Sequence, residues 1–171
     1  MTAYEIALSA LSCALATVLM LLGIYVEILL FTGYLFAGIA LMLPLAKKSY
    51  IGYILSYIAT CLLTLIFSSF RFWDVLPFIL FFGLHPLVNE LQLKTKLHHL
   101  VWFFIKALWF DGVMYLTWKV LFEMTTSLWG LEKYIIPLIL VLGTLFFYLY
   151  DYVTFRCRGV VNTLVKRFLK K

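Results

Sequence analysis

The chain has 171 residues, 65% of them hydrophobic and 13% charged, with a mean hydropathy of +1.04. A soluble fold of this size has no interior large enough for so much apolar surface, and an outer-membrane barrel would alternate apolar and polar residues instead. The net charge of +6, from 14 Lys and Arg against 8 Asp and Glu, would prompt a search for nucleic acid in a soluble protein. Here the cations lie between apolar runs, where they set topology and meet anionic lipid headgroups, so no nucleic-acid partner is expected.

Six apolar runs follow one another at about 3–22, 28–46, 51–67, 75–91, 100–122 and 134–155. Each approaches the ~20 residues that carry a helix across a ~30 Å hydrocarbon core. The expected fold is therefore all-α: a six-helix transmembrane bundle over residues 1–155, followed by a basic amphipathic cytoplasmic tail at 156–171. The first run has no basic segment before it and no clean small-residue cleavage site after it, so it reads as a permanent span rather than a signal peptide. The turn after it, at Gly23 to Glu27, is the least marked of the breaks.

The loops alternate in charge. Lys47, Lys48, Lys94, Lys96 and the tail residues Arg156, Arg158, Lys166, Arg167, Lys170 and Lys171 fall on one side, ten cations in all. The opposite loops hold only Arg71 and Lys133, each near an acid. The positive-inside rule makes the first set cytoplasmic, and an even number of spans puts both termini there, in a multi-pass protein of the cell membrane. Along the tail, Val160, Val161, Leu164, Val165, Phe168 and Leu169 recur at roughly helical spacing, so the segment either continues the last span or lies along the inner leaflet.

Ionisable residues inside spans are few and costly, and so are the first place to look for function. Lys106 and Asp111 share the fifth span but stand about 500° apart around the helix, so each needs a partner from another span. For Lys106, the residues at similar depth are His85, Asn89 and Glu90 of the fourth span and Asp151 of the sixth. A buried polar network of His85, Asn89, Lys106 and Asp151 that neutralises the lysine is the preferred reading, ahead of a role in coupling. Asp111, Tyr115, Trp118 and Lys119, with Trp73 from the break before the fourth span, form a candidate substrate-binding set opening outward. The competing account has Asp111 accepting bonds from a neighbouring helix while Lys119 reaches the external headgroups. Tyr25, Tyr34, Trp73, Trp118, Trp129 and Tyr134 could stack on a flat heterocycle or form an interfacial belt.

Catalytic chemistry has little support. His85, His98 and His99 lack zinc-site spacing, Cys13, Cys61 and Cys157 form no CxxC pair, and no phosphate loop or nucleophile–base pair is present. No metal or cofactor is expected. A lipid-modifying enzyme would have only Glu90, His98 and His99 from which to build a headgroup-level site.

In the first span Ala3, Ala7, Ala10 and Ala14 recur every three or four residues, a stripe on which another helix can approach closely. Ala7, Ala10 and Ala14 are candidate docking residues, for an outside partner or for a helix of the same bundle. The Ala10-Leu-Ser-Cys-Ala14 pattern, six short spans and basic inner loops together resemble the substrate-binding S component of energy-coupling factor vitamin transporters. The segments 81–90, 102–111 and 150–156 also resemble membrane proteins of Gram-positive bacteria close to those S components. The resemblance implies capture of a vitamin-like micronutrient from outside. It also implies docking through the first span on a transmembrane coupling protein driven by two cytoplasmic ATPases, with Ala10 and Ala14 matching the docking motif. It carries over no substrate residue. A non-transporting scaffold of the cell-wall elongation machinery, MreD-like, is the second reading.

Overall fold

The computed structural model describes residues 1–96, 98–123, 137 and 139–169. The loop marked by Thr125, Thr126, Ser127, Glu132 and Lys133, the start of the expected sixth span, the aromatics Trp129 and Tyr134, the side chains of Trp118 and Phe168, and Lys170 and Lys171 lie outside the described residues.

The described chain is helical, with no strand among the described residues. Helix α1 covers Ala3–Tyr25, α2 Leu30–Leu45, α3 Tyr50–Phe67, α4 Phe72–Pro77, α5 His85–Lys94, α6 His99–Glu123 and α7 Thr144–Leu169. The helices of Ala3–Tyr25, Glu27–Leu45, Tyr50–Phe67, Phe72–Lys94 and His99–Thr117 are long and apolar enough to cross a membrane.

α1 starts on a reciprocal cap. Thr2 Oγ1 accepts from the Glu5 amide at 3.3 Å, and Glu5 Oε2 accepts from the Thr2 amide at 2.9 Å, so two backbone donors of the first turn are satisfied. The helix runs through Gly23 to Tyr25, past the limit expected from the apolar run, and only then turns through a 3-10 segment at Glu27–Leu29. At this hairpin α1 and α2 nearly touch: a Cβ added at Gly33 would lie 2.9 Å from the Leu19 carbonyl oxygen and 3.0 Å from Gly23 Cα. Only glycine fits there. Lower down, Ser12 Oγ donates to the Ala40 carbonyl at 2.9 Å and Ser56 Oγ of α3 to the Ser9 carbonyl at 2.8 Å, so small polar residues bring α1, α2 and α3 together.

The fourth apolar run begins at Phe72 rather than near 75 and is interrupted. Between α4 and α5, Phe78–Phe82 form a π-helical turn in which the Gly83 amide reaches the Phe78 carbonyl at 2.8 Å. The widened turn takes the Gly83 amide away from the Ile79 carbonyl, and the Leu87 amide bonds Leu84 rather than Gly83. Two carbonyls are left over, and α3 answers them with tyrosines one turn apart: Tyr57 Oη donates to Ile79 O at 2.7 Å and Tyr53 Oη to Gly83 O. A broken helix in an apolar interior persists only when its freed acceptors find donors in this way.

α2 lies at the centre and packs against α1, α3, α5 and α7. The core collects Ala16, Met20, Tyr34, Leu41, Phe78, Phe81, Phe82, Phe110, Phe147 and Tyr150. A smaller core of Leu8, Met42, Val161 and Val165 joins the ends of α1, α2 and α7. α7 is one unbroken helix through the tail segment, whose Val161 and Val165 are thereby buried against the bundle. At the other end of the bundle Arg71 bonds Asp74 at 2.9 Å, the Ile24 carbonyl at 3.3 Å and Glu27 at 3.8 Å.

Candidate functional site

His85 and Asn89 are one turn apart on α5 and share a face. Opposite them stand Lys106 of α6 and Asp151 of α7. Lys106 Nζ donates to Asp151 Oδ1 at 2.6 Å and to Asn89 Oδ1 at 2.9 Å. Asn89 Nδ2 is 3.5 Å from His85 Nδ1, and His85 Nε2 is 3.0 Å from Asp151 Oδ1, although off the direction in which the ring N–H points. Hydrogen bonds thus link the four side chains in a row, His85 to Asn89 to Lys106 to Asp151, and the imidazole folds back beside Asp151. A neutral imidazole protonated on Nε2 leaves Nδ1 to accept from Asn89, which accepts in turn from Lys106, while Nε2 lies beside Asp151 without a hydrogen-bond partner.

The cluster is sealed. Lys106 and His85 are 0% exposed, Asn89 2% and Asp151 5%. Aromatic rings surround it: Tyr150 and Phe81 lie 4.8 Å and 5.1 Å from the imidazole, and the ammonium sits 5.0 Å from the Phe155 ring and 5.9 Å from that of Phe147. The negative faces of the latter two rings add to the stabilisation of the ammonium. On the side of the basic loops, Glu90 pairs with Arg158. A crevice of about 10 Å³ between α2, α5 and α7, bordered by Asn89, Glu90, Thr154, Arg158 and Asn162, has room for one water. This arrangement cross-links three helices through a compensated charge.

The outward candidates are distributed differently. Asp111 is 6% exposed; its Oδ2 accepts from Thr144 Oγ1 at 3.0 Å, while its Oδ1 is buried and has no hydrogen-bond partner. Tyr115 and Lys119 follow on α6 and are exposed. Trp73, at the start of α4, is 41% exposed and meets Phe72 edge-to-face. Among the described residues no hydrogen bond or ion pair joins Asp111 to Lys119 or Trp73. Thr144, its actual partner, escaped the sequence reading, although a threonine following Gly143 inside an apolar run is a visible signal.

Ala7, Ala10 and Ala14 are exposed, together with Ala3, on the side of α1 away from the bundle. They lie beside a ridge of Leu11, Leu15, Val18 and Leu22, all at least 44% exposed. The intramolecular contacts of α1 are made by a separate face of Ser9, Ser12, Ala16, Met20 and Gly23. A cavity of about 230 Å³ between α2 and α7, lined by Phe31, Thr32, Leu35, Phe146, Leu149 and Val153, is apolar.

No family model, no curated protein and no solved structure matches the chain.

Proposed function

We propose that the chain is the membrane-embedded substrate-binding subunit of an energy-coupling-factor-type transporter for a vitamin or similar micronutrient. In this reading it crosses the membrane six times with both termini in the cytoplasm, its basic inner loops meet anionic headgroups, and partner ATPases supply the energy. The observation that carries the proposal is the exposure of Ala7, Ala10 and Ala14 on a face that the bundle does not use. In lipid, association of helices depends on close packing rather than on hydrophobicity, and a groove of small side chains beside a leucine ridge is what a partner helix packs into.

Ala10→Trp and Ala14→Trp test it. These bulky side chains would stand in lipid, so the isolated protein should unfold within about 0.5 kcal/mol of the parent. Purification from native membranes should recover a transmembrane coupling protein and two ATPases with the parent chain and lose them with the double variant. Co-purification that survives both substitutions would remove the alanine face from the interface. The substrate half is tested separately, by thermal shift of the purified chain against water-soluble vitamins followed by titration calorimetry.

The second reading is a non-transporting scaffold of a membrane assembly. It is favoured by the polar cluster of His85, Asn89, Lys106 and Asp151, whose members are occupied with one another. A scaffold would keep its partners through the same alanine face and bind none of the small molecules.

A further inference from the structure

Asp111 lies twelve residues into α6, about 18 Å along the helix axis from its start, which is mid-depth in a ~30 Å hydrocarbon layer. A carboxylate there cannot remain with one neutral hydroxyl as its only partner, since an uncompensated charge in an apolar medium costs several kcal/mol. Yet one oxygen accepts from Thr144 and the other is enclosed with no donor. The described cations do not supply the missing charge. Lys106 is held by Asp151 and Asn89, and Lys119 stands two turns further along α6, about 12 Å away on the axis. No ion pair involves Asp111 among the described residues.

The neighbouring backbone is irregular in the matching place. Ile139–Gly143, immediately before Thr144, form a π-helical turn that packs against α6. Widening a helix by one residue removes a carbonyl from its usual amide, as the turn at Phe78–Phe82 demonstrates, and there tyrosine hydroxyls fill the vacancy. At the second turn the Thr144 hydroxyl is directed to Asp111. A carboxylate oxygen lacking a donor and a hydroxyl oxygen are thus adjacent, both of them hard oxygen ligands, beside an irregular helix turn.

We propose that Asp111 and Thr144, together with the π-helical turn preceding Thr144, bind a single sodium ion. A monovalent ion cancels the one carboxylate charge, whereas a divalent ion would leave a net positive charge in hydrocarbon. Irregular helix backbone is what membrane helices use to coordinate sodium, and a carboxylate and a hydroxyl beside it add two more hard oxygen ligands. The proposal stands apart from the docking of α1 and uses none of its residues.

The test is thermal unfolding of the full-length protein in detergent, in sodium, potassium or choline chloride at equal ionic strength. Sodium at a few times its dissociation constant should raise the midpoint saturably, by about 2–4 °C, over the other two salts. Asp111→Asn and Thr144→Val should remove the sodium response while leaving the midpoint in choline chloride near that of the parent. Thr144→Ser, which keeps the hydroxyl, should retain the response and serves as the readout should Asp111→Asn fail to fold. Equal midpoints in the three salts, or a sodium response that persists in Asp111→Asn, would overturn the site. Equal midpoints accompanied by carbodiimide labelling of Asp111 would identify a proton as the compensating charge and equally refute sodium.

Discussion

Asp151 and Asp111 are both buried carboxylates on helices of one bundle, and their surroundings differ in kind. Asp151 receives a lysine ammonium at 2.6 Å and has a histidine nitrogen 3.0 Å away, within a cluster of four side chains. Asp111 receives one threonine hydroxyl and keeps an oxygen without a donor. The first charge is cancelled by the protein and ties α5, α6 and α7 together; the second meets no cation among the described residues. Two aspartates of equal burial therefore serve opposite ends, and what separates them is the number of donors their neighbours provide.

Removing one member of the compensated pair should have the largest effect. Lys106→Met leaves Asp151 charged in an apolar interior and should destabilise the bundle by about 3–5 kcal/mol, read from denaturant unfolding in mixed micelles. The double variant Lys106→Met, Asp151→Leu should recover most of that loss, because both desolvation costs vanish together; a double variant as unstable as the single would mean the cluster contributes more than charge cancellation. Asn89→Leu is next. It deprives Lys106 of an acceptor and His85 of a donor and should cost about 1–3 kcal/mol in the same measurement. Asp111→Asn, assayed without sodium, should be the mildest, within about 1 kcal/mol of the parent, since the hydrogen bond it puts at risk is the one from the Thr144 hydroxyl. A loss as large as that of Lys106→Met would show that Asp111 is structurally paired after all and erase the contrast.

The class of the fold was legible because hydrocarbon thickness is a length scale that a sequence can display directly. Depth was legible for the same reason, so His85, Asn89 and Asp151 could be set beside Lys106 by counting along the spans. Rotation about each helix was another matter. That Asp111 meets Thr144 depends on a π-helical turn at Ile139–Gly143, which shifts the register of α7 by an amount no periodicity reveals. The break at Phe78–Phe82 was hidden similarly: Pro77, Gly83 and Pro86 mark a weak stretch, but only Tyr53 and Tyr57 on a different helix make the widened turn tolerable. The two stripes of α1 illustrate the limit from the other side. Ser9, Ser12 and Ala16 are as small as Ala7, Ala10 and Ala14, and composition alone could not say which set turned inward.

The contact of Gly23 with Gly33 has a mechanical consequence. Main chain lies against main chain there, so a side chain added at either glycine would wedge the first two helices apart at that end. A wedge at that point would therefore displace α2 from its place, and α2 packs against α1, α3, α5 and α7. A disturbance at the rim is delivered to the hub.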